Sequence, residues 1–244
     1  MSHRSAIIVF LVATLTLAAF LLFAQMTNRQ IQSNASSTQN QSEQETVNEV
    51  LQQNEDPFVT VVPKGVVGGK PQPLDTDPQH GAQTPTVIIV EFGDFECEAC
   101  AIMAPFMKRI IEAYPNDVLH VWKDYPIPAL HPYSEQAALA ARCAQSQGRF
   151  WEYHDVLFEK QDLFILSPWN DIASTLKLDS QKFSTCMEKK EKEALVVQGY
   201  YIGKTLEIAE APTYYINDQV LHGIQSYETL TTLIDNEISN ANKK

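Results

Sequence analysis

The pattern of apolar and polar residues divides the chain into three parts of different character. Residues 6–24 carry no charge and are almost wholly apolar, whereas residues 25–56 are crowded with Gln, Asn, Ser and Thr. We interpret residues 1–24 as a signal anchor, or alternatively as a signal peptide that is cleaved. Residues 25–56 have the composition of a disordered polar linker. Regular periodicity appears only after this linker, and we assign residues 57–244 to one folded domain.

The folded domain begins with a strand–helix–strand pattern. Val87–Val90 is a continuous β-branched run, as expected for a strand that is buried on both faces of a sheet. Cys97–Tyr114 carries apolar residues at helical spacing, and Val118–Lys123 predicts the next strand. This order predicts a βαβ unit in an α/β fold, with two parallel strands and a right-handed crossover.

A helical block and a final sheet segment follow. We predict a helical insertion at about 129–206, with helical patterns over Ser134–Gln147, Phe150–Phe158, Pro168–Leu176, Ser180–Lys190 and about 193–206. Ser167 is expected to cap the third of these helices. Thr213–Ile216 and Gln219–His222 then predict two strands joined by a tight turn. Ser226 is expected to cap a last helix.

Composition narrows the function classes. The chain has 244 residues, of which 44% are hydrophobic and 20% charged, as in an ordinary globular domain. The formal net charge of −12 argues against nucleic acid as a partner, because binding to phosphates requires a basic surface.

The motif that carries chemistry is the cysteine pair Cys97 and Cys100, where a predicted buried strand gives way to a helix. Free N–H groups at a helix N-terminus stabilise a thiolate, and the thiolate is the nucleophile in disulfide exchange. The alternatives are an inert disulfide or half of a zinc site. Zinc would require two more ligands at suitable spacing, whereas Cys143 and Cys186 are isolated in the sequence. The motif therefore favours redox chemistry, and we expect no metal and no organic cofactor.

Several residues around this motif resemble the DsbA-like thiol–disulfide oxidoreductases of the thioredoxin superfamily. Glu91 lies six residues before Cys97, where this family places a buried acid, and Lys123 ends the next strand, where a basic partner of that acid is often found. The Ala211-Pro212 step before a strand is similar to the family's cis-proline loop. The resemblance implies a thioredoxin-like fold with an inserted helical subdomain.

The resemblance also implies a mechanism. Cys97 would form a mixed disulfide with a cysteine of a substrate protein, and Cys100 would resolve it. Glu91 and Lys123 would move the proton of Cys100, while the loop at Pro212 would hold the substrate backbone. A membrane quinone-linked partner of the DsbB or vitamin K epoxide reductase type would keep the pair oxidised. The alternatives are a reductase or isomerase of the same fold, or a binding or chaperone module whose CxxC motif is vestigial.

The active-site dipeptide Glu98-Ala99 departs from the Pro-His of strongly oxidising relatives. A carboxylate next to the reactive sulfur opposes the thiolate, so Glu98 is expected to make the protein a milder oxidant. We expect the pKa of Cys97 to lie at roughly 5–7, between the values for DsbA and thioredoxin.

The remaining cysteines, Cys143 and Cys186, fall on predicted helices of the insertion. They are either free buried cysteines or a structural disulfide, and pairing is favoured in an oxidising compartment. Together with the apolar N-terminal stretch, this favours a domain on the extracytoplasmic side, in the periplasm or at the cell surface. If the signal is cleaved, the protein is secreted.

Overall fold

The structure is a computed structural model that describes residues 65–67 and 69–243. The predicted signal anchor (1–24) and polar linker (25–56) lie outside the described residues. Within the described part, no helix has the length and apolar character needed to cross a membrane.

The centre of the domain is a five-stranded mixed sheet. Its strands are β3 (Gln79–Gly81), β4 (Val87–Gly93), β5 (Val118–Asp124), β6 (Thr213–Ile216) and β7 (Gln219–His222), and β1 (Val66–Val67) and β2 (Lys70–Pro71) form a separate antiparallel pair. The order across the sheet is β3-β5-β4-β6-β7. Strands β4 and β5 are parallel, and every other neighbouring pair is antiparallel. The predicted βαβ unit is confirmed.

Seven α-helices surround this sheet in the described part of the chain. They are α1 (Glu98–Ala113), α2 (Ser134–Gln145), α3 (Phe150–Glu159), α4 (Trp169–Thr175), α5 (Ser180–Glu188), α6 (Glu193–Thr205) and α7 (Tyr227–Ala241). Helices α2 to α6 form the insertion between β5 and β6, within the predicted bounds. Ser226 caps α7 by accepting a hydrogen bond from the N–H of Thr229, as predicted.

The two faces of the sheet are covered by different helices. On one face Ile89, Tyr214 and neighbouring residues pack against apolar residues of α1 and α7. On the opposite face Phe92 and Val121 pack against Ile202 of α6. A third apolar cluster fills the helical insertion and reaches the sheet at Trp122. This leaves the end of β4 and the start of α1 at the junction of the sheet and the insertion.

Three local features differ from the predictions. The edge strand β3 was not expected, because its three residues have no apolar pattern; it forms by antiparallel pairing with β5. The 3-10 helix Gln161–Leu166 was also not expected. Ser167 does not cap α4: its φ of 49° places it in the left-handed region, and Pro168 occupies the cap position without a side-chain hydrogen bond.

Candidate active site

Cys97 lies at the N-cap of α1, immediately after the loop that leaves β4. Its backbone is extended, and its sulfur accepts a hydrogen bond from the N–H of Cys100 over 3.4 Å. This is the position in a helix where free N–H groups and the positive end of the macrodipole meet. Only 7% of the Cys97 residue surface is exposed.

The surroundings of Cys97 favour its thiolate. The pKa of Cys97 is lowered from 9.0 to about 7, chiefly by the hydrogen bond from the Cys100 thiol and also by the N–H groups of Cys100 and Ala99. Burial and the negative charge of Asp94 raise the pKa and partly offset these effects. About half of the Cys97 side chains are therefore ionised at neutral pH. The value lies at the upper, thioredoxin-like end of the expected interval.

Cys100 has the opposite character. It is fully buried, and its pKa is raised well above 9.0 by burial, by the hydrogen bond to Cys97, and by the charges of Cys97 and Glu91. Both cysteines are in the free thiol state in this structure. The pair thus combines an ionisable sulfur at a helix N-terminus with a protonated, fully buried sulfur, which is the division needed for a nucleophile and a resolving thiol.

Glu91 lies behind Cys100 on β4 and is only 2% exposed. The hydroxyl of Tyr214 donates to its Oε1 over 3.2 Å, and a hydrogen bond of 2.8 Å joins its Oε2 to Nε2 of His120. Both carboxyl oxygens are therefore engaged, and the side chain is fixed below the cysteine pair. The resemblance led us to expect a buried acid at this position, and the structure contains one.

Lys123 is not the partner of Glu91, and this prediction is wrong. In the parallel register Glu91 lies opposite Trp122, whereas Lys123 lies opposite Phe92 on the other face of the sheet. The Lys123 ammonium instead donates to Asp77 over 2.6 Å and to the carbonyl of Gln72 over 3.1 Å. Side chains alternate between the two faces of a strand, so His120, three residues before Lys123, points to the face that carries Glu91.

The loop before β6 faces the cysteine pair. The Ala211–Pro212 peptide bond is cis, as the resemblance implied. The carbonyl oxygen of Ala211 lies 3.3 Å from the sulfur of Cys97 and accepts its thiol hydrogen. A group attached to Cys97 would therefore lie beside the backbone of this loop.

Asp94 fixes the loop that leads into Cys97, a role that no pattern in the sequence predicts. Its buried carboxylate accepts from the N–H groups of Glu96 and Ile127 and is hydrogen bonded to His131, each over 2.8 Å. The side chain of Gln161 holds the other side of the loop by donating to the carbonyl of Cys97 over 3.0 Å. The reactive sulfur is thus held by the insertion as well as by the sheet.

The dipeptide between the cysteines is on the surface. Glu98 is exposed and Ala99 is half-buried. Of the nearby carboxylates, the buried Asp94 raises the pKa of Cys97.

The second cysteine pair lies in the insertion, away from these residues. Cys143 of α2 and Cys186 of α5 form a disulfide, and both residues are buried. In the part of the chain that the structure describes, no three His, Cys, Asp or Glu side chains come together in a way that could hold a metal ion.

Comparison with known proteins places these observations in a family. The family model described as Thioredoxin matches residues 74–236, which is more than half of the chain. A Na(+)/H(+) antiporter NhaA 3 of Salinispora tropica is 30% identical over 171 residues, which are 69% of this chain and 26% of the antiporter. The chain therefore spans about a quarter of the length of this relative, and the antiporter's activity belongs to a much longer protein.

Two further likenesses cover most of both proteins. Disulfide bond formation protein D of Bacillus subtilis is 26% identical over 181 residues, covering 70% of this chain and 81% of the relative. The crystal structure of alpha-DsbA1 from Wolbachia pipientis shares the fold with a TM-score of 0.62 at 19% identity, covering 69% of this chain and 94% of the other. The DsbA-like resemblance is confirmed, and the chain belongs to the thioredoxin family.

Proposed function

We propose that this protein is a thiol–disulfide oxidoreductase that oxidises pairs of cysteines in substrate proteins through Cys97 and Cys100. The observation that carries this proposal is the asymmetry of the pair. Cys97, whose pKa is lowered to about 7, lies at a helix N-terminus beside the Ala211 carbonyl, whereas Cys100 is buried and protonated behind it. A structural disulfide requires neither an ionisable sulfur nor an adjacent peptide loop.

In the oxidising direction the reaction begins with the Cys97–Cys100 disulfide. A substrate thiolate attacks the sulfur of Cys97, the bond between Cys97 and Cys100 breaks, and Cys100 leaves as a thiolate that takes up a proton. A second substrate thiolate then attacks the substrate sulfur of the mixed disulfide and releases Cys97 as a thiolate. The substrate loses two electrons and gains a disulfide, while the active-site pair gains two electrons.

The residues around the pair have distinct roles in this scheme. The N–H groups at the start of α1 stabilise Cys97 as the leaving thiolate. Glu91, the only carboxylate that raises the pKa of Cys100 among its main neighbours, exchanges the proton of Cys100. The loop at Ala211 and Pro212 holds the extended backbone of the substrate next to Cys97.

The oxidising direction rests on two observations. The chain is similar to Disulfide bond formation protein D over most of both sequences. It also contains a buried disulfide between Cys143 and Cys186, a bond that persists mainly in oxidising compartments.

We infer in the same way that the domain works outside the cytoplasm, in the periplasm or at the cell surface. The apolar residues 6–24 support a membrane anchor, or a signal that is cleaved. A membrane quinone-linked partner of the DsbB or vitamin K epoxide reductase type would accept the two electrons from the reduced pair.

The proposal is tested by following the oxidation of a reduced, cysteine-containing protein in a glutathione buffer. The wild-type protein should accelerate disulfide formation, and Cys97→Ser should reduce the rate to the background. Cys100→Ser should accumulate a mixed disulfide between Cys97 and a thiol that has no second cysteine, such as glutathione, because the Cys100 thiolate that would displace that thiol is absent. Undiminished turnover by Cys97→Ser would rule out the proposed mechanism.

A further inference from the structure

A cavity of about 350 Å³ lies next to His120, which is a hydrogen-bond partner of Glu91. It is enclosed by the edge of the sheet at β3 and β5, by α1 and by α3. Its polar lining includes His80, Lys108, His120, Trp151, His154 and Asp155. His80 and Lys108 are exposed residues, so the cavity opens to solvent beside them.

His120 joins this cavity to Glu91. Its Nε2 is hydrogen bonded to the carboxyl group over 2.8 Å, and its ring lies 4.9 Å from that of Trp151 in the cavity wall. Within the described residues, Nδ1 of His120 has no hydrogen-bond partner in the protein. Every fully buried side-chain nitrogen or oxygen in that part of the chain does have a partner, so Nδ1 is not fully buried. Nδ1 is therefore reached by water from the cavity, while Nε2 faces the active site.

The other neighbours of Glu91 provide no second route for a proton to reach water. Cys100 has no exposed surface. The hydroxyl of Tyr214 donates to the carboxyl group, and its pKa is raised well above 10.0 by burial and by the charge of Glu91. Tyr214 also has no exposed surface. Among the described residues that are hydrogen bonded to Glu91, His120 alone reaches water.

We propose that His120 carries the proton of Cys100 between Glu91 and the cavity, so that proton transfer does not pass through the surface that binds the substrate. This inference deepens the proposed function and rests on it. His120 touches neither the substrate nor the reacting sulfurs, so it acts through Glu91 as a positioning and proton-relay residue.

The proton balance follows from the two nitrogens of the ring. When Cys100 leaves as a thiolate, the sulfur takes up a proton by way of the Glu91 carboxylate, and Nε2–H of His120 supplies that proton. Water in the cavity then supplies a proton to Nδ1, so the imidazole stays neutral and the carboxylate regains its charge. Reoxidation of the pair reverses each transfer, and this returns the imidazole to its first tautomer.

The groups that face His120 are compatible with this role. His80 lies opposite it in the register of β3 and β5. The pKa values of His80 and His154 are both lowered, mainly by burial, so both rings are neutral at pH 7. The remaining charged residues of the cavity are Lys108 and Asp155, which pair with each other over 2.8 Å, and Glu152.

The test uses the reduced full-length protein and an aromatic disulfide, 5,5′-dithiobis(2-nitrobenzoic acid), which releases a coloured thiolate at each step. The first release reports attack by Cys97, and the second reports attack by Cys100 on the mixed disulfide. His120→Ala should slow the second release at pH 7 by about tenfold and leave the first within about twofold. Added imidazole, which fits the space opened next to the cavity, should restore the second release.

His120→Gln is a second variant, which retains a donor to Glu91 but cannot accept a proton at one atom and release it at another. The rate of its second thiolate release should be low and should rise about tenfold per pH unit, because hydroxide must now remove the proton of Cys100. The corresponding rate of the wild-type protein should depend less steeply on pH. His80→Gln is the matched control, because it lines the same cavity without contacting Glu91, and its second release should match the wild-type rate.

The outcomes separate the two proposals. If the wild-type protein releases only one thiolate, the proposed function fails, because Cys100 does not resolve the mixed disulfide. If the wild-type protein releases both and His120→Gln matches its second rate from pH 6 to pH 8, the relay is overturned while the function stands. A slow His120→Ala that imidazole does not restore also overturns the relay.

Discussion

The two cysteine pairs of this protein belong to one apolar cluster but occupy different positions in the fold. Cys97 and Cys100 are free thiols at the start of α1, where one sulfur accepts an N–H and lies 3.3 Å from the carbonyl of Ala211. Cys143 and Cys186 are bonded to each other between α2 and α5, inside the apolar cluster of the insertion. The residue type is the same, so the difference in reactivity must come from position in the fold.

This comparison shows what makes a cysteine pair suitable for exchange. Cys97 gains a stabilised thiolate from the free N–H groups of a helix end and lies beside the backbone of the Ala211 loop. The pair in the insertion has buried sulfurs on the sides of two helices, where no free N–H groups are available. The first arrangement supports chemistry and the second supports stability, and each can be tested by altering one pair while observing the other.

The largest expected effect is the loss of stability when the insertion disulfide is removed. The bond closes a loop with a sequence separation of 43. In the entropic model, Cys143→Ala/Cys186→Ala should therefore lower the free energy of unfolding by about 4 kcal/mol, measured by urea denaturation. The rate at which Cys97 reacts with a small disulfide should stay within about twofold. The matched control, Cys97→Ala/Cys100→Ala compared with the reduced wild type, removes no cross-link and should lose far less.

Selective reduction should separate the two pairs by about a hundredfold in rate. A limiting amount of a small thiol should open the Cys97–Cys100 disulfide first, because Cys97 leaves as a stabilised thiolate. The bond between Cys143 and Cys186 is buried and should resist. Alkylation followed by peptide mapping measures the order, and early labelling of Cys186 would show that burial does not protect the insertion pair.

The reactivity of Cys97 should rise about tenfold between pH 6 and pH 8, since its pKa is about 7 and only the thiolate attacks. The same ionisation stabilises the reduced fold. Because the folded pKa lies below the unfolded value of 9.0, this stabilisation grows from pH 7 to pH 9 and is lost as the pH falls through 7. Urea unfolding of the reduced protein should show a gain of about 1.3 kcal/mol from pH 6 to pH 8. The oxidised protein should lack this gain.

The smallest expected effect distinguishes the two acids nearest to Cys97. Asp94 is buried and raises the pKa of Cys97, whereas Glu98 is exposed and its charge is screened by water. Asp94→Asn should lower the pKa of Cys97 and increase its thiolate fraction at pH 6 by roughly twofold to threefold. Glu98→Gln should change it in the same direction by less. Titration of the thiolate absorbance compares the variants, and a larger effect of Glu98→Gln would restore the dipeptide argument.

The sequence predicted most of the fold because its main elements have strong periodicity. The β-branched run from Val87 and the apolar spacing after Cys97 identified β4 and α1 within a few residues of their ends. The short strand β3 was not predicted, because it forms by pairing with β5 and its own sequence has no strand-like pattern. The predicted cap at Ser167 is wrong because this residue ends the preceding 3-10 helix in a left-handed conformation, which is not the extended backbone of a helix N-cap.

The sequence predicted those site residues that belong to a local motif. It did not predict the contacts between residues on neighbouring strands. The cysteine motif and the loop at Pro212 carry local signatures. The partner of Glu91 depends on the register of two parallel strands, and alternation within β5 would have favoured His120 over Lys123. The role of Asp94 in holding the loop before Cys97 could not be predicted, because its partners Ile127 and His131 lie more than thirty residues away along the chain.

The central claim is that Cys97 and Cys100 form an oxidising pair, and the reduction potential of their disulfide tests it most directly. Equilibration with glutathione redox buffers, followed by alkylation, gives this value while Cys143 and Cys186 stay bonded. We expect a potential between those of thioredoxin and DsbA, at roughly −240 to −150 mV. A value at or below about −270 mV, that of thioredoxin, would contradict the account, because the pair would then donate electrons to its substrates.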